Sequence, residues 1–157
     1  MLLFLIFYFI VAPICVLLHE IGHGIGAAFA SKKHVHIYLG PGSEKNKENF
    51  RLGRIHFHIF WSYTGLTYWG KDFSERQKAI ALAGGPLMSL LLAFLFGLLT
   101  LFAPQGEVHS LFWWTTMLFF LQFIGTIIPV TYPGWMGGLG GYPSDGLQLL
   151  RILKNRN

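Results

Sequence analysis

Three long runs of apolar residues dominate the pattern of hydrophobic and polar positions along the chain. They extend over residues 2–30, 74–102 and 109–130. Each run is long enough to cross a bilayer, because about 20 apolar helical residues span the hydrocarbon core. The pattern therefore predicts an α-helical membrane protein with three transmembrane helices. A cleaved signal peptide is the alternative for the first run, but that run has no basic start.

Residues 34–70, between the first and second runs, follow a different pattern. Apolar and polar residues alternate in 34–39 and again in 54–59, and β-branched and aromatic residues are frequent. A period of two is typical of half-buried strands. We expect two or three short strands in a small membrane-associated antiparallel β-sheet, with the polar stretch 43–49 as an exposed turn.

Two other segments interrupt the helical pattern. Gly84-Gly85-Pro86 lies within the second apolar run and predicts a kink or a close contact between helices. Residues 131–146 are rich in glycine and proline and break the third helix before Asp145. Residues 146–155 then predict a short helix, and the whole chain, 1–157, forms one domain.

Composition and charge support a membrane location. Charged residues make up 12% of the chain and hydrophobic residues 53%, whereas soluble domains are about 25% charged. All 12 lysines and arginines lie in residues 32–54, 71–78 and 151–156. By the positive-inside rule, the β-rich segment and the C-terminus are cytoplasmic and the N-terminus lies outside, in a multi-pass protein of the cell membrane. The net charge of +5 does not indicate nucleic-acid binding, because no basic patch is separate from a membrane segment.

The first apolar run contains a motif with a specific chemistry. His19-Glu20-Ile21-Gly22-His23 is an H-E-x-x-H sequence. Helical residues four apart share a face, so both imidazoles can bind one ion, and one further protein ligand leaves a position for water. Such an ion activates the water, and Glu20 can accept its proton as a general base. Ionisable residues inside a membrane helix usually have a functional role. The structural alternative is a polar contact between helices or a solvated helix end.

A third protein ligand is needed to complete such a site. Asp145 is the acidic residue that follows the broken segment, and irregular backbone at membrane depth is tolerated where it lines a cavity. From the residues alone, Asp145 serves equally well as the N-cap of the last helix.

Several motifs resemble those of the site-2 protease family of intramembrane zinc metalloproteases, peptidase family M50. Besides H-E-x-x-H, the chain has segments similar to the family's A-G-P-L, N-x-x-P and P-L-D-G elements, in the same order. These segments are Ala83 to Leu87, Ile128-Pro129 and Pro143 to Gly146. The resemblance covers nearly the whole chain as a minimal core, including the strand-rich stretch after the first helix.

The resemblance implies one Zn²⁺ per chain, held by His19, His23 and Asp145, and substrates that are membrane-spanning or membrane-adjacent proteins. The sequence departs from the family at three places. Ser89 and Thr126 stand where the family has asparagines, and residues 132–142 are an insertion before the Asp motif. These departures concern the positioning of substrate more than the binding of zinc.

Two other features have structural interpretations that we favour. Four histidines alternate along two predicted strands, which is typical of the polar face of a half-buried sheet; a second metal site or a contact with substrate is the alternative. They are His34, His36, His56 and His58. Cys15 is the only cysteine, so no internal disulfide forms, and we interpret it as a small buried residue.

The sequence therefore predicts a zinc endopeptidase that acts on membrane proteins in the lipid bilayer, with Glu20 as its general base. Two alternatives remain open. The first is a proteolytically inactive regulatory membrane protein that keeps the zinc site and binds a membrane partner. The second is a metal-handling membrane protein that uses the strand histidines.

Overall fold

A computed structural model describes residues 1–155 of the chain; the third basic segment ends one residue beyond them, at Arg156. The helices are α1 (Leu2–Ala30), α2 (Glu75–Phe102), α3 (Glu107–Ile127) and α4 (Asp145–Lys154). The strands are β1 (Val35–Leu39), β2 (Phe50–Leu52), β3 (Ile55–Ile59) and β4 (Gly65–Tyr68). Between α3 and α4, Gly134–Leu139 forms 3₁₀ turns that are interrupted by a kink at Met136 and Gly137.

The helices α1, α2 and α3 are long and apolar enough to cross a membrane. Helix α2 lies between the other two and packs against both. Large apolar side chains on these helices remain exposed, including Phe94 at 68% and Leu101 at 77%. Exposed apolar surface on this scale is typical of a face that meets lipid or another protein.

A π-helical turn, Phe7–Val11, interrupts α1 just before Pro13. Proline has no N–H, so the carbonyl of Phe9 lacks the donor that normally lies four residues further along. The indole Nε1–H of Trp61 donates to that carbonyl at 2.8 Å. An unpaired carbonyl is costly in a bilayer, and this bond therefore both satisfies Phe9 and ties the segment after β3 to α1.

The sheet has four strands in the order β2-β3-β1-β4. Strands β2 and β4 pair antiparallel with their neighbours, but β1 and β3 are parallel, with His36 opposite His56. The predicted antiparallel sheet of two or three strands is therefore wrong, and the sheet is mixed. The reason is that the chain reverses twice between β1 and β3, and β2 occupies the outer edge.

The sheet lies alongside α1 and not beyond its end. Val35, Ile37 and Leu39 of β1 are fully buried, and Ile37 packs where a Cβ on Gly24 of α1 would stand. Phe9, which bonds to Trp61, lies 21 residues before the end of α1, or about 31 Å at 1.5 Å per residue. The β-rich segment thus accompanies α1 over most of its length.

The ends of the elements differ slightly from the sequence-based prediction. Ser74 caps α2 in a capping box with Gln77, whereas α3 ends at Ile127, three residues before the predicted end.

Asn46 in the predicted exposed turn is buried, because its side-chain amide donates to the carbonyls of Leu39 and His58. Cys15 is buried as expected, between α2 and α3.

Glycines bring α1 and α2 into backbone contact. A Cβ on Gly22 would lie 2.5 Å from the carbonyl oxygen of Gly84 and 2.5 Å from the Cβ of Met88. A Cβ on Gly84 would in turn meet the carbonyl of Gly22. Helix α2 continues through Gly84 to Pro86, and the predicted close helix contact is confirmed at Gly22 and Gly84.

We expect Gly22→Ala to destabilise the folded protein by about 1–3 kcal/mol, the usual effect of adding a methyl group to a tightly packed contact. The measurement is the free energy of unfolding in detergent micelles. Gly125→Ala is the matched control, because a Cβ on Gly125 meets nothing within 4 Å. Equal stability of the two variants would contradict a close contact at Gly22.

Candidate metal centre

The structure brings the three predicted ligands together. The Nε2 atoms of His19 and His23 lie 3.2 Å apart. The Asp145 Oδ2 atom is 3.4 Å from the first and 3.3 Å from the second. The two histidines come from one face of α1, and Asp145 is the first residue of α4.

These distances fit a zinc ion. Zinc binds imidazole nitrogen and carboxylate oxygen at about 2.0–2.1 Å in a tetrahedron, which places neighbouring ligand atoms about 3.3 Å apart. The three atoms meet that spacing on all three edges, and both histidines are buried. The group can thus hold a metal ion, and two nitrogens with one oxygen are a ligand set that zinc accepts.

Ser144 fixes the position of Asp145. Its buried hydroxyl accepts a hydrogen bond from the backbone N–H of Leu147, which makes Ser144 the N-cap of α4. The alternative that Asp145 is the N-cap is therefore wrong. The same hydroxyl donates to the carbonyl of Ile128 at 2.7 Å and accepts from the N–H of Val130, so it anchors the start of α4 beside the end of α3.

Hydrogen bonds on the outer side of the site orient both imidazoles. His23 Nδ1 lies 2.9 Å from the carbonyl oxygen of Ala81, and His19 Nδ1 lies 2.8 Å from the hydroxyl of Ser89. The 2.9 Å contact with the Ala81 carbonyl, which only accepts, is shorter than the 3.3 Å approach of the Gly85 N–H to the same atom and favours a proton on His23 Nδ1. Its Nε2 atom, once deprotonated, would offer a lone pair to a metal. Such partners are the usual second layer of a metal site.

The carboxylate of Asp145 remains ionised within this group. Burial raises its pKa, but while both imidazoles are protonated their hydrogen bonds and positive charge outweigh burial and lower the pKa of Asp145 from 3.8 to about 2. An ionised carboxylate is the form that binds a metal ion.

Glu20 is held by the strand β4. The hydroxyl of Thr67 lies 2.8 Å from Glu20 Oε2 and 2.9 Å from the Glu20 carbonyl oxygen, and it can donate to either. Gly65 allows the strand to approach, because a Cβ there would meet the Glu20 side chain. Glu20 is buried, so its orientation depends on these contacts and on the helix.

A cavity of about 680 Å³ opens beside the three ligands and Glu20. Strand β4 forms one wall, and the insertion of residues 132–142 contributes Tyr132, Met136 and Tyr142 to another. The insertion is closed at its base by the bridge between Thr131 and Pro143. The insertion is therefore part of the cavity wall.

Sequence reasoning did not identify Thr67 or Gln122, which also lines the cavity. Neither residue belongs to a motif, and only the packing of β4 and α3 around α1 brings them to the site. Ser89 was noted only as a departure from the family pattern, yet it is fully buried and contacts His19.

The strand histidines form two hydrogen-bonded pairs on the outer face of β1 and β3. His34 Nδ1 lies 2.8 Å from His56 Nε2, and His36 Nδ1 lies 3.1 Å from His58 Nε2. His56 also bonds to Glu48 at 2.8 Å. Within residues 1–155, the group of three or more side chains that could hold a metal ion is His19, His23 and Asp145, and the strand histidines form no such group. Their interpretation as the polar face of the sheet therefore fits better than a second metal site.

The pKa of His36 responds to its neighbours. Burial lowers it from 6.5, the positive charges of His56 and His58 lower it further, and Glu48 opposes the shift. The neutral His36 side chain therefore contributes to the stability of the fold above about pH 6.5. That contribution is lost as the pH falls through the lower pKa that His36 has in the folded state.

We expect Glu48→Gln to lower the His36 pKa further, because it removes the one neighbouring charge that raises it. NMR titration of the imidazole signals in micelles measures the change. Glu44→Gln is the control, since Glu44 is an exposed residue of the same turn. An unchanged His36 titration in Glu48→Gln would show that the carboxylate does not act on this pair.

Comparisons with known proteins identify no relative. No family model, no curated protein and no solved structure matches the chain. The interpretation of the site therefore depends on its own geometry.

Proposed function

We propose that the protein is an intramembrane zinc endopeptidase, with His19, His23 and Asp145 as zinc ligands and Glu20 as general base. The observation that carries the proposal is the combination in one cavity of a three-ligand group with zinc spacing and a buried glutamate that is not part of it. A site for zinc storage or structure has no need of such a glutamate. The similarity of the motifs to those of the site-2 proteases supports the same chemistry.

Each residue then has a defined task. Bound zinc would supply Lewis acidity, which lowers the pKa of a water molecule and polarises a carbonyl. Glu20 accepts the proton of the attacking water and later donates it to the leaving amine. Thr67 keeps the Glu20 carboxylate in place, and Ala81 and Ser89 keep the imidazoles of His23 and His19 oriented.

The sheet edge suggests how a substrate binds. Among residues 1–155, strand β4 pairs with β1 and with no other strand. Its other edge therefore has unpaired backbone groups, and its residues line the cavity beside Glu20. An extended peptide can add to such an edge by backbone hydrogen bonds. A helix shields its own peptide bonds, and a membrane-spanning substrate must therefore unwind locally before it is cut.

The location and partners follow from the same proposal. The three apolar helices cross the cell membrane, with the N-terminus outside and the C-terminus and basic segments in the cytoplasm. The substrate is a membrane-spanning or membrane-adjacent protein. A zinc-binding regulatory protein without protease activity is the second candidate, because Ser89 and Thr126 replace the asparagines of the family pattern.

Cleavage by the purified protein in liposomes tests the proposal. The substrates are reporter proteins that each carry one membrane-spanning segment. We expect cleavage that stops when a chelator removes zinc and returns when zinc is restored. Cleavage unaffected by zinc removal would refute the mechanism, whereas one bound zinc without cleavage of any reporter would favour the regulatory protein.

A further inference from the structure

A chain of hydrogen bonds leads from the metal centre to the side chain of Gln122 on α3. His19 Nδ1 lies 2.8 Å from the hydroxyl of Ser89, and that hydroxyl lies 3.4 Å from Gln122 Oε1. Ser89 is fully buried, and Gln122 lines the cavity beside the three ligands. No motif in the sequence points to Gln122.

The direction of each bond follows from the chemistry of the site. When His19 Nε2 binds a metal, its proton is on Nδ1 and is donated to Ser89. The hydroxyl of Ser89 has one proton of its own, which must then go to the next acceptor, Gln122 Oε1. This assignment fixes the amide of Gln122 with its oxygen toward Ser89 and its NH₂ group on the opposite side.

The NH₂ group is free for a ligand. It forms no hydrogen bond within the described part of the chain, residues 1–155, whereas four other donors around the cavity have an acceptor. Thr67 donates to Glu20, Thr126 to the Gln122 carbonyl, Tyr132 to the Gly125 carbonyl and Gln148 to the Pro143 carbonyl. The described residues that line the cavity include no lysine or arginine.

We propose that the Gln122 amide is a catalytic donor, which binds the carbonyl oxygen of the scissile peptide as negative charge develops on it, and that Ser89 is its positioning residue. This inference rests on the proposed endopeptidase function. A neutral donor aimed at a developing oxyanion lowers the barrier because its dipole is already oriented when the charge appears.

The test uses Gln122→Met, which removes the amide while keeping a long side chain. We expect kcat to fall by about 10²–10³-fold, the usual effect of losing one oxyanion donor, with little change in KM or zinc content. Gln105→Met is the control, because Gln105 is an exposed residue of the turn between α2 and α3 and is not part of the cavity wall. Ser89→Ala should show a smaller loss of kcat and a weaker affinity for zinc.

Binding of a phosphinic peptide gives a second measurement that does not need turnover. Its tetrahedral anionic group imitates the hydrolysis intermediate, so its affinity for the zinc-loaded protein should fall in Gln122→Met by a factor similar to that in kcat. The affinity for an uncut peptide, measured in the Glu20→Gln background, should hardly change.

The outcomes separate the two proposals. If the wild type cleaves the reporter and Gln122→Met has the same kcat, the proposed role of Gln122 is overturned and the endopeptidase proposal is retained. If the wild type cleaves nothing, the endopeptidase proposal fails. In that case, equal phosphinate affinity in wild type and Gln122→Met overturns the donor role as well, and weaker affinity in the variant supports the donor geometry.

Discussion

Replacing Glu20 by glutamine is expected to lower the rate of peptide hydrolysis by about 10²–10⁴-fold, the range that general-base catalysis contributes. The amide has nearly the same shape and can still accept from Thr67, but it cannot take a proton from water. Zinc should remain bound at one ion per chain, because Glu20 is not among the three ligands. The measurement is kcat/KM for a membrane reporter in liposomes, together with metal analysis of the same sample.

Glu75→Gln is the matched control for this substitution. Glu75 lies in the first turn of α2 and pairs with Lys78 on an exposed surface, so the same chemical change there should leave turnover unaltered. Turnover by Glu20→Gln equal to that of the wild type would exclude Glu20 as the general base.

Asp145→Ala is expected to remove zinc and, with it, hydrolysis. Loss of an outer-layer partner of a metal ligand typically weakens metal binding by about 10–100-fold, and loss of a direct ligand should exceed that range. The helix α4 should survive, because its N-cap is Ser144 and not Asp145. Metal analysis and competition with a chelator of known affinity measure the change.

Asp72→Ala provides the corresponding control. Asp72 is an exposed carboxylate whose partner is Lys33 at 3.2 Å, so its loss should leave the zinc content unchanged. Full zinc occupancy in Asp145→Ala would mean that another group completes the coordination, and the proposed ligand set would then be wrong.

The positions of the helices and the motif are properties of the local sequence. An uninterrupted apolar run forms a helix in any apolar environment, because the helix satisfies its own backbone. Likewise, the spacing of His19 and His23 on a helix suffices to place both rings on one face. These features could therefore be predicted without a structure, as could the strand character of residues 34–39 and 54–59.

The pairing of the strands was not predictable in the same way. Alternation identifies a strand, but it does not say which neighbour the strand takes or in which direction. The parallel pairing of β1 with β3 depends on how residues 40–54 fold back, and the buried amide of Asn46 contributes to that fold by bonding to both strands.

The completed site belongs to the tertiary structure. Sequence alone determined that His19, Glu20 and His23 share a helix, and it left Asp145 with two equal interpretations. The contact of Gly22 with Gly84, the anchoring of Ser144 to Ile128 and the approach of β4 at Gly65 bring the remaining parts together. These contacts join segments that are far apart in the chain, and their energies depend on the shape of the whole packed molecule and not on any local pattern.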